Sequence, residues 1–191
     1  METGLEQDQR LLLHDVSWQE YETLRSTFSD RPGIRMAYLE GTLEIMTLSP
    51  RHEGLKKVIA RLIETYAEER NLNLNSYGST TFKRAARERG LEPDEYYCLG
   101  RLADLPDLAL EIVVTHGGID RLAIYAGLEV PELWFYRDGA LRIYALTGDG
   151  YTAIPRSLLL PELDVDLLSR TILPDEQTRA VRGFRRELRG G

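Results

Sequence analysis

The stretch LPDLALEIVVTHGGIDRLAIYAGLEVPELW, from Leu105 to Trp134, contains the clearest fold signal of the sequence. Leu108 to Val114 is apolar at every position except Glu111, and an apolar run of this length is typical of a central strand covered on both faces. Two glycines then lead into a predicted helix from about Ile119 to Leu128. The segment therefore predicts a buried strand that carries one carboxylate, followed by a helix.

The carboxylate in this strand needs a partner, because an unpaired buried charge costs several kcal/mol. Asp107 lies four residues before Glu111, roughly 13 Å away in an extended strand, which is too far to share one metal ion. Asp94 could instead face Glu111 from a neighbouring strand. With the carbonyl of Ile112, the two acids would offer the oxygen ligands that Mg²⁺ or Mn²⁺ prefers. The pattern alone leaves a metal site and a structural salt bridge to an arginine as alternatives.

The rest of the chain predicts helices and strands in mixed order. Ser17 and Glu20 form a capping-box pattern, and Glu40-Gly41 and Asp138-Gly139 are hairpin turn signals. The predicted helices run from Ser17 to about Ser29, where Asp30-Arg31-Pro32-Gly33 breaks the helix, from His52 to Arg70, from about Ile119 to Leu128 and from Asp175 to Leu188. The predicted strands are Ile34 to Leu39, Thr42 to Leu48, Leu72 to Tyr77, Thr80 to Arg84, Asp94 to Leu99, Leu108 to Val114, Leu133 to Tyr136 and Leu141 to Leu146.

Length and composition predict one domain over residues 1–191, with a core from about 15 to 170 and a polar C-terminal helix from about 175 to 189. Cys98 is the single cysteine, so an intramolecular disulfide and a cysteine-based zinc cluster are excluded. No apolar run reaches the roughly 18 to 20 residues of a membrane span, and the acidic start 1–6 lacks the pattern of a signal peptide. We therefore expect a cytoplasmic protein that does not enter a membrane.

The formal net charge of −7 argues against nonspecific coating of nucleic acid, which depends on many basic residues. Two local basic patches, Lys83 to Arg89 and Arg179 to Arg189, could contact nucleic acid or could be solvated surface charge. Motifs for dinucleotide binding, nucleoside triphosphate hydrolysis, serine hydrolases and zinc proteases are absent from the sequence. We therefore expect no nucleotide cofactor.

Five stretches carry a resemblance to a known family. They are SWQEYETL, RMAYLEGTLEIMTLSPRHEGLKKVIARLIE, YGSTTFKRAARERGLEPDEYYCL, LPDLALEIVVTHGGIDRLAIYAGLEVPELWFY and TRAVRGFRREL. In this order, over nearly the whole chain, they resemble the Uma-two family of restriction-endonuclease-like proteins. The resemblance implies the α/β fold of PD-(D/E)xK nucleases, with a central mixed sheet flanked by helices. It also implies DNA cleavage that depends on Mg²⁺ or Mn²⁺, and a homodimer is plausible because such nucleases often pair to cut both strands.

The resemblance also implies a set of catalytic residues. The PD motif corresponds to Pro93-Asp94 and the next acid to Glu111, but Ile112-Val113 contains no lysine where the motif has xK. The basic residue of the family lies in a later motif, GGIDKLxIY, and here the lysine is replaced by Arg121. Arginine stays protonated, so it could clamp the scissile phosphate but is a poor general base. Alternatively, Arg121 simply neutralises Glu111 or Asp94.

Four further residues are candidates, and Glu44 and His52 each have a simpler alternative. Glu44 matches a family acid near the metal, or it faces outward from an exposed hairpin. His52 could touch metal-bound water or phosphate, or it is a surface histidine. His116, where the family has a serine, could act as a base in place of the lysine, and Asp120 could cap its helix or pair with a basic neighbour.

Two hypotheses about function follow. The first is a divalent-metal-dependent endonuclease in which Asp94, Glu111 and the Ile112 carbonyl hold the metal while Arg121 and Glu44 assist. The second is a catalytically degenerate nuclease fold that binds nucleic acid or a protein partner without cleaving. The retained acids favour the first hypothesis, and the loss of the lysine favours the second.

Overall fold

The computed structural model describes residues 7–28, 31, 33–78, 80–148 and 150–190. The acidic start of the chain, the predicted helix end at Ser29 and two residues of the following turn, Asp30 and Pro32, lie outside the described residues.

These residues form five α-helices and two β-sheets. The helices are α1 (Trp18–Phe28), α2 (Pro50–Glu69), α3 (Arg121–Leu128), α4 (Val165–Thr171) and α5 (Gln177–Gly190). The strands are β1 (Gln9–Leu13), β2 (Ile34–Leu39), β3 (Thr42–Thr47), β4 (Leu74–Tyr77), β5 (Phe82–Arg84), β6 (Arg89–Leu91), β7 (Glu95–Leu99), β8 (Leu108–Val113), β9 (Glu132–Arg137), β10 (Ala140–Thr147) and β11 (Gly150–Ile154). Among the described residues, none of the helices combines the length and the apolar composition that a membrane span requires.

The two sheets differ in strand direction. The first has five strands in the order β1-β3-β2-β6-β5, and each neighbouring pair is antiparallel. The second has six strands in the order β11-β10-β9-β8-β7-β4, in which β8 and β9 are parallel and the other pairs antiparallel. Helix α3 connects the parallel pair, as a parallel connection requires. The predicted mixed central sheet flanked by helices is confirmed.

Local sequence signals account for α1 and the first hairpin. The backbone N–H of Ser17 donates to the Glu20 carboxylate at 2.8 Å, and the backbone N–H of Glu20 donates to the Ser17 hydroxyl at 3.3 Å. The β2–β3 hairpin turns at Glu40 and Gly41, whose φ angles are 45° and 91°. Glycine adopts such an angle without a side-chain clash, so both the capping box and the turn are confirmed.

Helix α2 begins at Pro50, two residues before the predicted start. The Ser49 hydroxyl accepts a hydrogen bond from the backbone N–H of His52 at 3.1 Å, and proline is well tolerated at the first helical position because its missing N–H has no intrahelical partner there. The apolar face of α2 packs with α5 and the six-stranded sheet in the largest core cluster. This cap therefore fixes the end of α2 that lies nearest the candidate site.

Strand β8 is covered on both faces, as its sequence predicts. Leu108, Leu110 and Ile112 pack in the cluster that contains α2 and α5. Ala109 packs on the other side, in the cluster that contains Ile124 and Leu128 of α3. Since side chains alternate along a strand, Glu111 faces the same side as Ala109. The carboxylate of the central strand is therefore directed toward α3.

Four elements were not predicted from the sequence. They are β1, β6, β11 and α4. No strand was predicted between Arg84 and Asp94, but Arg89–Leu91 pairs with both β2 and β5 and forms β6. A three-residue strand has no measurable apolar alternation, so its pairing partners rather than its sequence make it a strand.

The C-terminal helix is largely polar in composition, but one of its faces is apolar. Ala180, Phe184 and Leu188 are buried at intervals of four residues and join the core cluster of α2. This spacing places them on one face of α5, with the arginines around it. The predicted helix is therefore confirmed, and it forms part of the core.

Candidate active site

Strands β7 and β8 bring Asp94 and Glu111 together. The antiparallel register pairs Glu95 with Leu110. Asp94, directly before β7, therefore lies opposite Glu111, which follows Leu110 on β8. The backbone N–H of Ile112 donates to Oδ2 of Asp94 at 2.8 Å. Both acids are almost completely buried, with 3% and 2% of their surfaces exposed. The opposition across neighbouring strands that the sequence pattern suggested is therefore present in the structure.

Glu111 receives its partners from α3. The hydroxyl of Tyr125 donates a short hydrogen bond to Oε1, and Nη1 of Arg121 lies 3.4 Å from Oε2. Arg121 and Tyr125 are four residues apart, so both project from the same face of the helix. Burial raises the pKa of Glu111 to about 7, although the nearby charge of Arg121 opposes that rise.

Glu44 comes from the other sheet and contacts the same arginine. We use the term cluster for Glu44, Asp94, Glu111 and Arg121 together with the side chains linked to them by hydrogen bonds or ion pairs. It lies on β3 with 1% of its surface exposed, so the interpretation as an outward-facing hairpin residue was wrong. Nη2 of Arg121 donates to Oε1 of Glu44 at 2.8 Å, and the backbone N–H of Ile119 donates to Oε2 at 3.1 Å. Nε of Arg10 forms a further ion pair with Oε2 at 3.0 Å. Glu44 therefore connects the two sheets through Arg121.

His52 bridges two carboxylates and is fully buried, so the surface-histidine interpretation was wrong. Its Nδ1 lies 2.9 Å from Oδ2 of Asp8, and its Nε2 lies 2.9 Å from Oδ1 of Asp94. Asp8 also accepts a hydrogen bond from the backbone N–H of Ser49 at 2.8 Å. The three side chains thus form a continuous chain of contacts from the start of β1 to the candidate catalytic acid.

Electrostatics favour the protonated form of His52. Burial alone would lower its pKa, but the charge of Asp94 and the hydrogen bonds to both acids raise the pKa to about 10. The same contacts hold the pKa values of Asp94 and Asp8 below their ordinary range, although burial acts in the opposite direction. At neutral pH the arrangement is therefore an imidazolium between two carboxylates.

Asp8, Arg10 and Tyr125 were not predicted as site residues. Tyr125 could have been predicted, because it lies four residues after Arg121 and both side chains therefore project from one face of the helix. Asp8 and Arg10 are two residues apart and thus project to the same side of an extended segment. No feature of the sequence connects that segment with β3 or α2, so only the tertiary structure assigns them to the cluster.

Three other acidic or basic candidates lie outside the cluster. Asp120 caps α3 by accepting a hydrogen bond from the backbone N–H of Ala123 at 3.1 Å, as one of its two interpretations expected. His116 is 56% exposed and lies 3.2 Å from the carboxylate of Asp138, on the β9–β10 turn. Asp107 accepts a hydrogen bond from the backbone N–H of Leu99 at 2.7 Å. The structure does not bring any of these three carboxylate or imidazole groups to Glu111.

The basic segment from Lys83 to Arg89 is largely paired within the protein. Lys83 contacts Glu22 at 2.5 Å, Arg87 contacts Glu129 at 2.8 Å, and Arg89 contacts Glu40 at 2.8 Å. In the C-terminal patch, Arg185 and Arg189 both contact Glu69, at 3.0 and 2.7 Å. Most of these charges are thus neutralised by neighbouring acids, which favours surface charge over a dedicated phosphate-binding patch.

The donor chemistry of the cluster suits a hard divalent cation, since Asp94, Glu111 and the carbonyl of Ile112 all offer oxygen. Each carboxylate oxygen of the two acids already receives a hydrogen bond or ion pair from a neighbouring group. In the part of the chain that is described, no group of three or more His, Cys, Asp or Glu side chains is arranged to hold a metal ion. The guanidinium groups of Arg121 and Arg10 and the protonated ring of His52 supply the positive charge in this arrangement.

Comparison with known families finds a match over nearly the whole chain. A family model named Uma2, with the description "Putative restriction endonuclease", matches residues 18–189. The matched range includes Glu44, Asp94, Glu111 and Arg121, whereas Asp8 and Arg10 precede it. A search of curated proteins gives no match.

Proposed function

The chain belongs to the Uma2 family, and from this membership we propose that it hydrolyses phosphodiester bonds of DNA with the help of a divalent metal ion. The observation that carries the proposal is the buried pair of Asp94, directly before β7, and Glu111, on β8, with Arg121 in contact with Glu111. Family membership supports a nuclease-like activity, while the metal and the DNA substrate belong to the proposal.

Asp94, Glu111 and the carbonyl of Ile112 would hold Mg²⁺ or Mn²⁺. A bound divalent cation lowers the pKa of a coordinated water and polarises the phosphodiester. His52 fixes the orientation of Asp94 through a 2.9 Å contact, so the carboxylate is preorganised. Arg121 can donate its N–H groups to phosphate oxygens and stabilise the negative charge that develops during hydrolysis.

A second candidate function is binding of nucleic acid without cleavage. The contacts of Arg121 with both Glu44 and Glu111 favour it, because the always-protonated guanidinium neutralises acids that a metal would otherwise contact. In this candidate the cluster is a structural junction between two sheets. The fold would then retain the nuclease architecture and lack the chemistry.

Cleavage of supercoiled plasmid with Mg²⁺ or Mn²⁺ separates the two candidates. The native protein, Glu111→Ala and Arg121→Lys would be compared, with Asp107→Asn as the control for an acid outside the cluster. Nicking by the native protein and the control that is abolished by EDTA and by Glu111→Ala supports the hydrolase. The proportion of linear product, formed without a nicked intermediate, tests whether two copies pair to cut both strands.

The remaining outcomes are equally informative. If the native protein is inactive but Arg121→Lys cuts, the acids are competent and the arginine has disabled the site, which supports the second candidate. If all variants are inactive and calorimetry detects no binding of Mg²⁺ or Mn²⁺, the metal-dependent hydrolase is excluded. DNA binding by the inactive native protein, measured by fluorescence anisotropy, would then decide whether the second candidate stands.

A further inference from the structure

A cavity of about 210 Å³ opens beside the cluster, between α3 and the face of β9 and β10. Phe135 and Tyr144 form its aromatic wall, with ring centroids 5.8 Å apart and planes at 89°. Leu122 adds an apolar surface, and the guanidinium groups of Arg121 and Arg142 also line the cavity. We refer to this cavity as the aromatic pocket.

The aromatic pocket continues directly from the candidate catalytic acid. The strand register places Phe135 opposite Glu111 on β9 and Arg142 opposite Phe135 on β10. Neighbouring strands are about 4.8 Å apart, so this row extends roughly 10 Å from Glu111. Arg121 links the two regions, because it lines the pocket and contacts Glu111. A ligand in the pocket would therefore lie next to the site of the proposed hydrolysis.

The pocket has polar groups that remain available to a ligand. Arg142 is exposed, and neither an ion pair nor a side-chain hydrogen bond joins it to any other described residue. The hydroxyl of Tyr144 also has no hydrogen-bond partner in the described part of the chain. By contrast, Arg10 is paired with Glu44, and Arg137 lies 3.5 Å from Asp138. The free cation and the free hydroxyl therefore lie at the same aromatic wall.

Size and charge together define the ligand. A volume of about 210 Å³ is below the roughly 300 Å³ at which pockets for drug-sized ligands begin, so it suits a single ring system. Aromatic walls stack on the faces of nucleobases, and an unpaired arginine attracts the phosphate that accompanies each base. We propose that the aromatic pocket binds one unstacked nucleobase of a DNA strand, with Arg142 on the adjacent phosphate. This inference rests on the proposed function and adds a preference for single-stranded or locally unpaired DNA.

Binding of short strands tests the pocket without requiring cleavage. A fluorescently labelled strand of five thymidines and an abasic strand of the same length would be titrated in EDTA. The native protein should bind the thymidine strand more tightly. Tyr144→Ala should weaken binding of this strand about 5- to 150-fold, the range for loss of one base–aromatic stack, and leave binding of the abasic strand unchanged.

Arg142 provides a second, independent variant at the surface. Arg142→Ala should weaken binding of both strands and reduce the slope of log affinity against log salt by about 0.7, the value for one phosphate contact of a single strand. Arg101→Ala, a change at an exposed arginine on the β7–β8 connection, is the matched control and should bind as the native protein does. Circular dichroism of Tyr144→Ala checks that the sheet is intact.

Two results would contradict the proposal that the aromatic pocket binds a nucleobase. One is equal affinity of the native protein for the thymidine and abasic strands. The other is an effect of Arg142→Ala no larger than that of Arg101→Ala, together with unchanged binding by Tyr144→Ala. Base-dependent binding without cleavage of either plasmid or single-stranded DNA would support base binding by the pocket and reject the hydrolase. Cleavage with base-independent binding would support the hydrolase and reject base binding by the pocket.

Discussion

One side chain, Arg121, joins the acids of both sheets. It donates to Glu44 of the five-stranded sheet at 2.8 Å and lies 3.4 Å from Glu111 of the six-stranded sheet. A planar guanidinium can contact two carboxylates at once, whereas a lysine ammonium is a compact point charge on a flexible stem. An arginine at this position, where the family resemblance led us to expect a lysine, therefore gives the cluster a different geometry as well as a different proton chemistry.

We expect His52 to make stability depend on pH in the alkaline range. Its pKa rises from an ordinary 6.5 to about 10 on folding, so its contribution is complete below pH 6.5 and is lost as the pH rises toward 10. The free energy of unfolding should fall with a slope of up to about 1.4 kcal/mol per pH unit. Urea denaturation between pH 7 and 10 measures this slope, above the window of about 4.5 to 7 in which Glu111 titrates.

His52→Gln should flatten the dependence, and His14→Gln, at an exposed histidine, should leave it unchanged. Nitrogen chemical shifts of the His52 ring should be those of an imidazolium at pH 8. A neutral ring at that pH, or an unchanged slope in His52→Gln, would show that the two carboxylates do not hold the proton.

Gly118 is a second residue on which the cluster depends. Its φ is +100°, and an added Cβ would collide with the Glu44 carboxylate and the Arg10 guanidinium. Gly118→Ala should therefore lower the free energy of unfolding more than Gly139→Ala does. Gly139 has a φ of +80°, but a Cβ added there would meet open space. We expect an additional loss of about 1 to 3 kcal/mol from the steric collision, measured by urea denaturation. Equal losses of stability in the two variants would contradict the close contact of Gly118 with Glu44 and Arg10.

At the scale of the element, α3 serves the site through its spacing and its position. It follows β8 directly, and residues four apart on it reach the same carboxylate. Arg10 of β1 holds the preceding loop by donating to the carbonyls of Thr115 and Gly117, at 3.3 and 2.5 Å. The orientation of α3 is therefore set from both sheets.

Helix α5 makes a prediction about the core. Phe184 is completely buried in the cluster that includes α2, so Phe184→Ala should destabilise the protein by about 3 to 5 kcal/mol. Arg182→Ala, on the exposed side of the same helix, should change stability by less than about 0.5 kcal/mol. Urea denaturation of both variants checks this difference. Similar values for the two would show that α5 is not docked on α2.

At the scale of the whole molecule, the two sheets share buried charge as well as apolar contacts. Glu44 and Glu111 belong to different sheets and share Arg121, and one apolar cluster contains residues of both sheets. If the sheets separated, Arg121 would lose Glu44 or Glu111 as a partner, and a charged group that stays buried without its partner is unfavourable. We therefore expect the chain to unfold as one cooperative unit.

The two tryptophans can test this cooperativity. Trp18 packs on the five-stranded sheet, and Trp134 lies in β9 of the six-stranded sheet. Trp18→Phe leaves a reporter of one sheet, and Trp134→Phe leaves a reporter of the other. In each variant the fluorescence transition in urea should coincide with the transition in far-ultraviolet circular dichroism. A fluorescence transition of Trp18 at lower urea would show that the five-stranded sheet unfolds first.

The helices, strands and turns that could be predicted from the amino-acid sequence are those whose signals are local. The apolar run of β8, the face of α2, the Ser17–Glu20 cap and the Glu40-Gly41 turn all act between residues close in the chain, so their pattern was sufficient. Asp94 and Glu111 were also identified from the strand pattern and the family resemblance. Each of these features was present before any tertiary contact is considered.

The distant groups that complete the cluster could be identified from the three-dimensional contacts alone. His52 meets Asp8 across 44 positions and Asp94 across 42, and Glu44 meets Arg121 across 77. Strand β6 likewise exists because β2 and β5 pair with it. Local sequence does not specify such partners, because the energy that selects them comes from pairing buried charges and backbone groups that meet only when both sheets have formed.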